Sequence, residues 1–162
     1  MLDQVRRAAG FLAVLIAPIL LVLATAIGQP FLVVGVVFLG FPLMRSVFGT
    51  VGENAPTLWD ERVERVLHFL PLIYALTLTL SVAVLLEHLA RIKLDTADAI
   101  GWTTSLWLTL VFATCVAHEL LHRKRKTARW IGHALAGLAG YPVLSYEHNR
   151  HHKLPGNSAA AE

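Results

Sequence analysis

Two short histidine-bearing runs stand out in this 162-residue chain: His118-Glu119-Leu120-Leu121-His122 and Glu147-His148-Asn149-Arg150-His151-His152. On a helix, four-residue spacing puts His118 and His122 on one face, one turn apart. The i, i+3, i+4 spacing does the same for His148, His151 and His152. Imidazole nitrogen suits zinc, copper, iron or nickel, whereas magnesium or calcium would ask for oxygen ligands that these runs largely lack. Five imidazoles exceed the three or four protein ligands of a single zinc site, so the set favours two ions sharing a larger group of ligands. One HExxH run alone is a short pattern that chance produces, and it is the second cluster that gives it weight.

The elements that must position these residues read as membrane helices. Hydrophobic residues make up 56% of the chain and charged ones 15%, with a mean hydropathy of +0.59. That exceeds the apolar share of roughly 45–50% of a soluble domain. A crossing needs about 20 mostly apolar residues, and four runs are read as crossings, over residues 8–28, 30–46, 66–89 and 100–121. Gly28-Gln29-Pro30 punctuates the first pair as a tight turn. Thr57 and Asp60 resemble a capping box ahead of the third run, and Asp98 is a suitable N-cap for the fourth. Residues 130–144 are apolar but short, and Gly132, Ala136 and Gly140 recur at the four-residue interval that lets helices approach closely. The expected fold is an all-α polytopic membrane bundle, with four transmembrane helices and an interfacial C-terminal helical segment, all in one domain spanning 1–162.

Charge orients the bundle. With four crossings, both ends share a side with Arg6, Arg7, Arg45, Arg62, Arg65, Arg123, Lys124, Arg125, Lys126, Arg129, Arg150 and Lys153, which is 12 of the 14 basic residues. Lysine and arginine accumulate in cytoplasmic loops, so both termini and the histidine-rich segment 118–152 are expected on the cytoplasmic side of an inner membrane of bacterial type. The formal charge of +3 then reports orientation rather than a nucleic-acid partner, which is discounted. The Arg123-Lys124-Arg125-Lys126 run reads first as an orientation signal near anionic headgroups and second as a docking patch for an acidic partner. His68, His88 and His133 have no histidine neighbours and read as structural. Trp59, Trp102, Trp107 and Trp130 read as belt or packing residues. The single cysteine, Cys115, excludes an intrachain disulfide and is expected as a buried thiol.

The stretches HELLHRK and YEHNRHH resemble the membrane fatty acid desaturase superfamily, and most closely its alkane hydroxylase branch, where an HExxH box is followed by a box reading EHNRGHH. The present EHNRHH lacks that glycine and fits the HxxHH form of desaturases. The resemblance covers about the last third of the chain. It implies two non-haem iron ions held by His118, His122, His148, His151 and His152, with Glu119 and Glu147 as candidates to support the ligands from behind. It implies O2 as oxidant, an alkane or fatty acyl chain as substrate to be hydroxylated or desaturated, and a rubredoxin- or ferredoxin-type electron donor. No flavin or nicotinamide fingerprint is present. The family carries a third histidine box, and this sequence ends ten residues beyond His152. The site is therefore expected to be incomplete, as in a truncated chain.

Two other readings compete. HExxH can place two zinc ligands and a glutamate base on one helix face, as in a membrane zinc metalloprotease. That chemistry leaves the pair His151-His152 unused. A nonenzymatic membrane protein left by truncation is the third.

Overall fold

The computed structural model describes Gln4, Ala8 and residues 10–48 and 59–153. Helix α1, Leu12–Ile27, opens with a 3-10 turn over Leu12–Leu15. It ends at Gly28, whose φ of 65° is left-handed and free of strain only without a Cβ. The Gln29 amide donates back to the Ala24 carbonyl at 2.9 Å, closing the turn. Helix α2 starts with Leu32–Gly35, widens into a π turn over Val36–Gly40 and continues as Phe41–Phe48. The widening has a local cause: Pro42 has no N–H to offer the Phe38 carbonyl, so the ladder must slip at this point.

Helix α3, Glu61–Leu89, is capped by Asp60, whose carboxylate accepts from the Arg62 amide at 3.0 Å. Helix α4, Thr96–Leu121, is capped by Asp95, which accepts from the Asp98 amide at 2.8 Å. Both helices begin a turn earlier than their apolar runs suggest, because the cap sits ahead of a first polar turn. Asp95, not Asp98, is the cap of α4, and Thr57 lies outside the described residues. The expected interfacial segment is two helices, α5 over Lys126–Leu138 and α6 over Leu144–Lys153. The break falls at Gly140, whose φ of 79° takes it out of the small-residue stripe and into the turn. No strand occurs among the described residues, so the all-α expectation holds for them.

Helix α1 packs on α3, and α4 packs on α5, more extensively than any other pairs. The interior mixes small and hydroxyl-bearing residues with larger apolar ones such as Leu21, Leu85 and Trp102. Ala17, Ala24, Ala75, Ala113, Ala117 and Ala136 are buried beside Tyr74, Leu78 and Leu120. Thr25, Ser81, Ser105 and Thr109 are buried as well, each donating to a backbone carbonyl. Two of these bonds are long-range, from Ser81 Oγ to the Pro18 carbonyl of α1 at 2.8 Å and from Ser105 Oγ to the Pro30 carbonyl in the turn between α1 and α2. Large apolar side chains point outward instead: Leu76 is 64% exposed and Leu80 57%, with Ile73, Ile100, Trp107 and Val111 also exposed. Cys115 is exposed on this outer surface, against the expectation of a buried thiol. Buried alanines let backbones approach and buried hydroxyls find carbonyl partners, while the outer face of α3 and α4 carries exposed large apolar side chains, a combination an apolar solvent tolerates.

Among the described residues, two helices are long and apolar enough to cross a membrane, α3 and α4. The other two expected crossings are shorter helices, Leu12–Ile27 and Leu32–Val47. At 1.5 Å per residue, each covers about 24 Å against a hydrocarbon core of about 30 Å.

Candidate functional site

The end of α4 carries the first histidine pair. His118 and His122 have ring centroids 4.8 Å apart, with planes at 80°. The i, i+4 spacing therefore brings the two rings together on one exposed face, as the spacing predicts. His122 is also the C-cap of α4, with φ −73° and ψ −15°, and the Arg123 amide bonds to the Leu120 carbonyl at 3.1 Å. The pair thus occupies the final turn of a helix, where the backbone ladder runs out of partners.

The second group lies on α6, where His148, His151 and His152 keep their i, i+3, i+4 register within Leu144–Lys153. Helix α6 contacts both α4 and α5. The two histidine runs are therefore on neighbouring helices, joined through α5. The side chains of His148, His151 and His152 lie outside the described residues. Among the described residues, no group of three or more His, Cys, Asp or Glu side chains is placed to hold a metal ion. What the described residues provide is a pair of imidazoles on one face at the end of α4.

The two glutamates sit differently. Glu119 Oε1 accepts from Arg123 Nη2 at 3.0 Å and from Nε at 3.2 Å, an i, i+4 fork along the same turn as the histidines. Glu147 is exposed in the first turn of α6, where its charge favours the helix N-terminus. Arg123 faces inward, its side chain 19% exposed, while Lys124, Arg125 and Lys126 are exposed around the start of α5.

A contact that sequence reading did not anticipate joins this turn to α3. Arg123 Nη1 lies 2.6 Å from His68 Nδ1 and donates to the His68 backbone carbonyl at 3.3 Å. The two residues are 55 positions apart, and neither type nor spacing signals the pairing. His88 instead stacks edge-on with Trp102 at 5.5 Å, a packing role as expected, and His133 is exposed on α5. Beside the Arg123 contact is a cavity of about 420 Å³ with apolar walls at Phe11, Trp59, Leu67, Leu70 and Pro71, and charged groups at Glu64, Glu119 and Arg123. Trp59 closes one side by an edge-on contact with Phe11 at 6.1 Å. Pro71 withholds a donor from the Leu67 carbonyl, so the α3 ladder is interrupted along this wall.

Helix α5 holds the last turns of α4 in place. Gly132 lies so close that a Cβ there would sit 3.0 Å from the Ala117 carbonyl oxygen and 3.1 Å from Leu120 Cβ. Ala128, Leu135 and Ala136 are buried along the same contact. Comparison of the chain with protein-family models, with curated proteins and with solved structures finds no match.

Proposed function

We propose that this chain is an integral membrane protein acting as a non-haem di-iron oxygenase, hydroxylating or desaturating an alkyl or fatty acyl chain. The observation that carries the proposal is the juxtaposition of histidine runs. The final turn of α4 presents His118 and His122 with rings 4.8 Å apart, and α6, bearing His148, His151 and His152, packs against α4 and α5. In this proposal α1 and α2 cross the bilayer together with α3 and α4, tilted or with local thinning to match their shorter lengths. The termini and histidines then face the cytoplasm, as the distribution of lysine and arginine favours.

The five imidazoles would supply part of the ligand set of two iron ions, with the remaining ligands coming from outside these two runs; the chemistry of the ions when bound is activation of O2 for attack on an unactivated C–H bond. The work of the chain is to place the rest. The outward apolar surface would keep an alkyl chain among hydrocarbon and away from water. Glu119, charge-paired with Arg123, keeps an acidic group beside the histidine turn. Lys124, Arg125 and Lys126, exposed after α4, offer a cationic surface to an acidic electron carrier of rubredoxin or ferredoxin type.

Membranes carrying the chain, supplied with iron, O2, an electron donor and a medium-chain alkane or fatty acyl substrate, are expected to yield a hydroxylated or unsaturated product. His122→Ala should lower product to background while the protein remains membrane-inserted. Product formation unaffected by His122→Ala would refute the assignment.

A further inference from the structure

Arg123 is the one residue of the basic run that turns inward, and it joins two helices that are far apart in sequence. Its guanidinium grips Glu119 through Nε and Nη2 and reaches α3 through Nη1, which meets both the ring and the backbone carbonyl of His68. A planar fork can serve both partners at once, whereas an ammonium has no such geometry. Nη1 also lies 3.3 Å from His68 Nε2, so the ring offers the guanidinium an acceptor at whichever facing nitrogen carries no proton. His68 is fixed in turn by an edge-on contact with Phe69, centroids 5.6 Å apart.

The position of this contact gives it a consequence. His118 and Glu119 belong to the last turn of α4, His122 is its cap, and Arg123 follows the cap directly. Helix ends fray because their terminal carbonyls lack helical donors. A ligand pair on a fraying turn would wander by more than the roughly 0.5 Å that a preorganised site tolerates. The Arg123 fork ties this turn to α3 from the side, while α5 packs on it through Gly132.

We infer that Arg123 and His68 are positioning residues: a strut between α3 and the last turn of α4 that holds His118 and His122 in register for metal. This rests on the metal-site proposal above and adds residues to it. Arg123 is then a framework residue rather than part of a docking surface, and carrier recognition falls to Lys124, Arg125 and Lys126.

The test uses the full chain in detergent, with Co2+ as probe, its visible absorption read during titration, and amide hydrogen exchange followed over residues 118–123. Arg123→Gln and His68→Leu are each expected to weaken Co2+ binding by roughly 10–100-fold, the range for groups that orient metal ligands. They should also speed exchange in that segment while leaving the core of α3 protected. The double variant should be no worse than Arg123→Gln, because both break one strut. His68→Gln, which keeps an acceptor for Nη1, should recover most of the affinity, Arg123→Lys should not, and Arg129→Gln on the outer face of α5 should match the parent. Unchanged exchange in Arg123→Gln would overturn the strut, and faster exchange with unchanged Co2+ affinity would overturn its positioning of the histidines. If Co2+ binding in the parent does not depend on His118, the metal-site proposal fails, the positioning of ligands fails with it, and the exchange data alone decide whether the strut exists.

Discussion

Replacing Leu76 and Leu80 together by arginine should abolish stable membrane insertion of the chain, although neither side chain is packed in the core. Both lie near the middle of α3 and are exposed, at 64% and 57%. In water, substitutions at such positions change stability by about 0.5 kcal/mol or less. In hydrocarbon, each arginine at a helix centre costs about 2.5–3.5 kcal/mol, and the lost leucines add to that. The pair should therefore shift insertion by roughly 6 kcal/mol, enough to reverse it. Carbonate extraction of membranes expressing the variant checks this. The parent should stay in the membrane pellet and the variant should be extracted or degraded, while a variant as soluble and stable as an ordinary surface mutant would mean that this face meets water.

Gly132→Val should be the most destabilising single substitution on the face that supports the histidines. Its Cβ would lie 3.0 Å from a backbone oxygen, that of Ala117, and 3.3 Å from Leu121 Cγ, and the branched methyls add to the crowding. Backbone cannot swing aside as a side chain can, so α5 must lift away from α4. Overpacking typically costs about 1–3 kcal/mol, and a clash against backbone belongs at the upper end. Gly137, also on α5, has open space where a Cβ would sit, with nothing within 4 Å, and Gly137→Ala should instead stabilise by about 0.5–1 kcal/mol through helix propensity. Thermal unfolding in detergent should therefore move in opposite directions for the two variants. A Gly132→Val protein as stable as the parent would show that the α4–α5 contact is not the close packing described.

How far the fold was legible in the sequence follows from the kinds of signal available. Long apolar runs announced α3 and α4, and polar residues ahead of them announced caps, although α4 is capped by Asp95 where Asp98 was expected, because it is the Asp95 carboxylate that meets a free amide. The break between α5 and α6 was harder to read, because Gly140 fits a packing stripe as well as it fits a left-handed turn. Facing was harder still. A helix apolar on all sides carries little sign of which side is buried, and Cys115, expected inside, is outside for that reason. Helix count and spanning length also parted: the π turn of α2 and the 3-10 start of α1 belong to runs whose composition alone suggested full crossings.

The candidate site was legible to the extent that it is local. The pairing of His118 with His122 follows from helical spacing and is met in the ring geometry. The fork from Arg123 to Glu119 is an i, i+4 pair of the same kind. The contact of Arg123 with His68 is not local, since it depends on how α3 and α4 lie against each other, and no spacing rule reaches across 55 residues.

Metal content decides most directly whether these histidines hold an iron pair. The full chain, expressed in iron-replete cells and purified in mild detergent, is measured for iron and zinc per protein beside His118→Ala/His148→Ala. Iron that depends on these histidines is expected in the parent, rising to about two per chain where the remaining ligands are supplied, with its loss in the variant. Iron no higher in the parent than in the variant, or a single zinc in its place, would contradict the di-iron assignment.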